Sequence, residues 1–175
     1  MSTLFVDESK NAGYILVAAV VHPSGAESLR KAMRALVLPG QRRLHFSRES
    51  DSRRRLILSK LLALEVRAHV IRSTASREAD GREECLVGLV DCAEKHAHLK
   101  LVLERDESIE RSDRRILFRE LSARGLRDTV QYELRSPHSE PLLWIPDAIA
   151  WSYAKGSEWR RRVGPMLVDP SANGA

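Results

Sequence analysis

Apolar and polar positions divide the chain into elements. Leu4-Phe5-Val6 is a short apolar climb that predicts a strand over residues 3–8. Lys10 to Gly13 is polar and ends in glycine, as a turn does. Tyr14 to Val21 is continuously apolar, which predicts a second strand buried on both faces and paired antiparallel with the first through a tight hairpin. His22-Pro23-Ser24-Gly25 ends it, because Pro23 cannot extend a ladder. Residues 26–37 carry Leu29, Met33 and Leu36 or Val37 on one stripe and predict a helix closed by Pro39-Gly40. Leu44-His45-Phe46 reads as a brief extended piece. A second amphipathic helix spans 49–64, and Val66, Ala68 and Val70 alternate with polar residues in a third strand over 65–73, near a sheet edge. A long helix over 77–97 follows, its apolar stripe running from Cys85 to His96 or Ala97. Next come a strand over 99–103, a helix over 109–124 stopped by Gly125, and a fifth strand over 129–134. An apolar helix over 141–153 closes the pattern, with Pro146 in its first turn as the true start. Trp159 and three arginines follow as a tail, and residues 171–175 are small or polar and predict a loose end. Strands alternating with helices behind an antiparallel hairpin predict one α/β domain over 1–170, built on a mixed five-stranded sheet with helical crossovers.

At 175 residues, 43% hydrophobic and 30% charged, the chain suits one folded domain with a full core and does not read as a disordered protein. No apolar run has the length of a membrane span, and no basic segment leads a long apolar one, so neither an anchor nor a secretion signal is expected. Cys85 and Cys92 lie seven apart in one predicted helix, too far for a disulfide, and predict reduced core thiols in the cytoplasm. The net charge of +5 comes from 29 basic against 24 acidic residues, with clusters at Arg42-Arg43, Arg53-Arg54-Arg55, Arg114-Arg115 and Arg160-Arg161-Arg162. Such a surface can neutralise phosphates, or simply solvate helices. Aromatics are only 5%, so no base-stacking platform is visible.

Candidate chemistry rests on acids at element ends. Asp7-Glu8 closes the first strand, Glu104 and Asp106 follow the fourth, and Asp147 stands alone in an apolar helix. Each has a plain structural reading: a polar turn, strand-end solvation, a helix-start acid satisfying free amides. Together, three sequence-distant acid sites at corresponding ends of one sheet point to a shared metal centre. Hard cations such as Mg²⁺ or Mn²⁺ take oxygen ligands, and a pair about 3.5–4 Å apart cleaves phosphodiesters. His45 is a candidate ligand or proton shuttle, or a half-buried structural histidine. His96 and His98 are two apart, which is not a helical metal pair. No glycine-rich phosphate loop, nucleophile elbow or Cys-x-x-Cys pair is present, and Ser9 lacks a nearby base.

Phe5-Val6-Asp7-Glu8-Ser9, the apolar strand 14–21, Leu44-His45-Phe46 and Leu143-Trp144-Ile145-Pro146-Asp147-Ala148-Ile149-Ala150 resemble, in order and spacing, the prokaryotic family known as domain of unknown function 3800. The resemblance spans nearly the whole chain. It implies a ribonuclease-H-like fold with helices on both faces and a carboxylate-held site for Mg²⁺ or Mn²⁺, acting on nucleic acid. Asp7 and Asp147 match the first-strand and last-helix acids, and Glu104 or Asp106 the fourth-strand acid. Glu8 and His45 match motif positions of unassigned role. Lys10 departs from the usual glycine and Pro146 from a small residue; an ammonium at Lys10 would oppose cations nearby.

Overall fold

The structure, a computed structural model, describes residues 1–11, 13–95 and 99–168. His96, His98, the last residue of the helix predicted over 77–97, and the tail from 171 onward lie outside the described residues.

Five strands form one mixed sheet: β1 (Ser2–Ser9), β2 (Tyr14–Val21), β3 (Arg67–Ser73), β4 (Leu99–Glu104) and β5 (Val130–Arg135). Their order is β3-β2-β1-β4-β5. The opening hairpin pairs β1 with β2 antiparallel, and β3 extends it antiparallel, while β4 and β5 add in parallel on the far side of β1. The reason is connection length. A four-residue turn can only reverse the chain, whereas the helices before β4 and β5 are long enough to carry it back over the sheet.

The helices α1 (Ala26–Ala35), α2 (Asp51–Ala63), α5 (Trp144–Lys155) and α6 (Ser157–Val163) cover one face, and α3 (Glu78–Glu94) and α4 (Glu110–Ala123) the other. Strand side chains alternate between the two cores. Ile15, Val17 and Ala19 of β2 enter the first, and Leu16 and Ala18 the second, which is why that strand reads as one unbroken apolar run. Leu4, Leu16 and Leu101 are fully buried, each contributing about 2 kcal/mol. β3 is an edge strand, partly shielded where the Val168 amide donates to the Ala68 carbonyl (2.9 Å).

Two helical expectations need correction. The last long helix starts at Trp144, continuing a 3-10 turn over Pro141–Leu143; Pro146 lies in its first turn as expected, but the helix begins two residues before it. A proline costs nothing there, since first-turn amides have no partner in the helix. The stretch read as a tail is α6: Trp159 and Val163, one turn apart, are buried against α5, with Trp151 and Trp159 edge to face at 5.5 Å. Among the described residues, no helix is long and apolar enough to cross a membrane. Both cysteines are free.

Candidate active site

Strand alternation decides which acids can meet. In β1, Phe5 enters the core under α5, while Leu4 and Val6 enter the core under α3 and α4. Two residues on, Asp7 falls on the face of Phe5 and Glu8 on the face of Leu4 and Val6. In β4, Leu101 and Leu103 share the α3/α4 core and Val102 the other, so Glu104 falls on the face of Asp7. Val6 pairs with Leu103 in parallel register, which sets Asp7 and Glu104 at neighbouring strand ends. Asp147 reaches the same place from the first turn of α5, the helix packed across this face.

These acids line one cavity of about 340 Å³, together with Glu8, His45 and Arg43. Asp7 Oδ1 accepts the Glu8 amide (2.8 Å), and Asp147 Oδ2 accepts the Phe46 amide (3.2 Å). Both carboxylates are thus aimed by backbone donors. The segment carrying His45 is pinned from below, with Leu44 and Phe46 fully buried. The His45 ring shares a hydrogen bond with Ser47 Oγ (3.0 Å).

The electrostatics are those of crowded like charges. Burial, then the Asp147, Glu104 and Glu8 carboxylates, push the Asp7 carboxyl well above its ordinary range; its bond from the Glu8 amide opposes this. Burial is also the main cause at Glu104, lifted from 4.5 to about 7 by it and by Asp147, Glu8 and Asp106, against the pull of Arg43. Asp147 is raised by burial, with the Phe46 amide, His45 and Arg43 acting the other way. His45 is lowered, first by burial, although Asp147 favours its charged form. Perturbed titratable groups of this kind, clustered in a cleft, make the cavity a candidate functional site.

Of the remaining candidates only Asp106 stands apart; Glu8 and Lys10 line the cavity, each held by a partner of its own. Asp106 does not line the cavity: its Oδ1 accepts from the Ser108 amide (2.9 Å) and hydroxyl (2.6 Å), which turn the carboxylate toward the start of α4 and hold it below its usual range. Glu8 lies at the rim, bound by Arg82 Nη1 (3.1 Å). Lys10 directs its ammonium to Glu78 (2.5 Å) and stands 4.0 Å from Glu8.

Sequence reasoning missed Arg82 and Asp113. Arg82 donates to both Asp113 oxygens (2.6 Å each) and to the Tyr14 hydroxyl (2.6 Å), a bidentate bridge between α3 and α4 with Asp113 fully buried. The signal was present. Arg82 precedes Cys85 and Leu86 by three and four residues, and Asp113 precedes Ile116 and Leu117 likewise, so each charge sits on an apolar stripe. In the sequence Arg43 reads only as charge; its place beside the acids comes from the fold.

The donor chemistry fits a hard divalent cation, being carboxylate oxygens with one flanking imidazole. Among the described residues, no three His, Cys, Asp or Glu side chains are drawn together as a ready ligand set. The acids gather at one cavity and not at one point.

No family model matches the chain, and no curated protein matches it by sequence. A solved structure does: the complex of PCNA with RNase HII from Archaeoglobus fulgidus, with 14% identity and a TM-score of 0.53, over 89% of this chain and 73% of that one. The fold is ribonuclease-H-like. At that identity the likeness concerns backbone architecture alone. Within a ribonuclease-H-like sheet, the carboxylate cavity lies at the ends of the two central strands β1 and β4, beneath the last long helix.

Proposed function

We propose that this ribonuclease-H-like protein is a divalent-metal-dependent nuclease that hydrolyses phosphodiester bonds of nucleic acid. The observation that carries the reading is the cavity shared by Asp7, Glu104 and Asp147, acids from three separate elements whose charges oppose one another. Asp7, Glu104 and Asp147 are the proposed ligands of Mg²⁺ or Mn²⁺, with Glu8 at the rim. Strand alternation favours Glu104 over Asp106 for the fourth-strand position. Bound there, the cations would supply an activated water and stabilise the leaving oxygen. The chain's own share is orientation: the Phe46 amide aims Asp147, the Glu8 amide aims Asp7, and Arg43 and His45 flank the position a phosphate would take. The resemblance to the domain of unknown function 3800 family supports the same reading, and two free thiols favour a cytoplasmic setting.

Purified protein is expected to cleave labelled RNA or DNA with Mn²⁺, and Asp7→Asn to abolish the cleavage. Unchanged activity in that variant would end the proposal. A second reading, a non-catalytic binding module on the same fold, is favoured by the lack of a ready ligand set among the described residues and by Lys10 near the strand end. Calorimetric titration with Mn²⁺ separates the two. Heat and a raised melting temperature belong to the first, and neither to the second.

A further inference from the structure

We propose that a basic cavity beside the carboxylates is a phosphate-binding site, holding the backbone of a nucleic-acid strand that leads into the carboxylate cavity. The inference takes its ligand from the nuclease reading and its location from geometry of its own. The chain between α1 and α2, with His138 from the loop after β5, forms a cavity of about 340 Å³ lined by Arg42, Arg43, His45, Arg48 and His138. Arg43 and His45 line both this cavity and the acidic one, so the two adjoin through shared side chains.

Among the described residues, the guanidinium groups in this cavity are not tied up in ion pairs, although Arg43 acts at longer range on Glu104 and Asp147. Several other arginines are tied to acids: Arg30 to Glu140 (3.0 Å), Arg54 to Asp51 (2.7 Å), Arg55 to Glu158 (2.8 Å). Among the described residues, no carboxylate lies within 4.0 Å of the guanidinium groups of Arg42, Arg43 or Arg48. The one acid in the lining, Glu49, is buried and already answered by Arg53 (3.4 Å) and Gln41 (3.3 Å). What faces the cavity is therefore net positive.

The segment is also fixed before any ligand arrives. Buried Leu44 and Phe46 anchor it, and Arg54 donates to the carbonyls of Phe46 (3.1 Å) and Ser47 (2.6 Å). The Arg54 guanidinium lies 4.3 Å over the Trp151 ring of α5, and the Phe46 amide holds Asp147 of the same helix. The basic cavity is thereby set rigidly relative to the acidic one. Fork-shaped guanidinium donors on a fixed frame suit a phosphodiester oxygen pair. Three carboxylates alone would repel a polyanion, so attraction has to come from beside them.

The test uses full-length protein in EDTA, so that nothing is cleaved, with fluorescein-labelled single-stranded RNA and DNA 20-mers. Anisotropy is read across a potassium chloride series. Arg42→Gln/Arg48→Gln is expected to raise Kd about tenfold for both probes. The slope of log K against log salt should fall by about 0.7 for each phosphate that is no longer neutralised. Arg111→Gln/Arg115→Gln, an equal loss of charge on α4 across the sheet, is expected to leave the slope unchanged. Equal effects from the two double variants, or no binding by the unmodified chain, would overturn the site. Separate cleavage assays with Mn²⁺ keep the two ideas apart. Cleavage that survives with the arginine pair irrelevant leaves the nuclease reading standing and the site refuted. Binding abolished in the pair, with no cleavage under any metal, leaves the site standing and the nuclease reading refuted.

Discussion

Replacing Glu104 by glutamine is expected to stabilise the metal-free protein at alkaline pH. Glu104 meets Asp147 and Glu8 across a partly buried cavity, and its carboxyl is lifted from 4.5 to about 7. The folded state therefore holds a proton there more tightly than the unfolded chain does. The stability this gives is complete below the unfolded value near 4.5 and is lost as pH rises through about 7. A rise of that size corresponds to about 3 kcal/mol. Water in the cavity and sharing of the effect among the coupled acids reduce it to about 1–2 kcal/mol. Glutamine mimics the protonated carboxyl, so Glu104→Gln removes the penalty at pH 8 and changes little at pH 5.

For a chain of this length, 1 kcal/mol moves the melting temperature by about 2–4 °C. Thermal scans in EDTA should show the variant about 2–8 °C above the unmodified protein at pH 8, with the gap closing by pH 5. Manganese should raise the unmodified protein at pH 8 and the variant much less, since the cation replaces the missing counter-charge only where the charge exists. A variant that melts lower at pH 8, or a gap that does not depend on pH, would refute the account of crowded carboxylates. A stabilising change that also removes a proposed metal ligand would fit the usual trade between activity and stability.

Other consequences follow from the second core. Arg82→Ala leaves the fully buried Asp113 without its partner and is expected to cost about 3–5 kcal/mol in urea unfolding, whereas Arg82→Met/Asp113→Leu recovers most of it. Gly81→Ala would set a Cβ 2.7 Å from Tyr14 Cβ, an atom fixed by the backbone, while at Gly88 the new Cβ would meet the Ile71 Cγ2 methyl at 2.8 Å, which can rotate away. The first is expected to cost about 1–3 kcal/mol more than any propensity gain and the second clearly less, by the same urea measurement. Cys85 is fully buried with its thiol pushed up to about 11, so at pH 8 it should react with a thiol reagent only as fast as the chain opens, well behind Cys92.

The hairpin, the order of later elements and the edge position of β3 were legible because each rests on a period or a connection length that local residues display. α6 was not. A seven-residue helix has only two buried positions, Trp159 and Val163, and three arginines between them hide the stripe. Its helical state comes from Trp159 packing on α5, a tertiary contact that no local propensity announces.

The candidate site divides along the same line. Adjacent acids in a strand must point to opposite faces, so Asp7 and Glu8 were never equivalent, and Leu4, Phe5 and Val6 already encode which is which. The alternation in β4 sorts Glu104 in the same way, and it makes no demand on Asp106, which lies beyond the strand and is taken by Ser108. What alternation cannot supply is the partner face. Asp147 joins Asp7 only because α5 crosses β1 on the side of Phe5, and Arg43 joins them only because Leu44 and Phe46 are drawn into the same core. The chemistry at this cavity therefore depends on two hydrophobic anchors as much as on its acids. A change at Phe46, whose amide aims Asp147 and whose ring packs on Trp151 at 5.4 Å, should disturb both cavities at once.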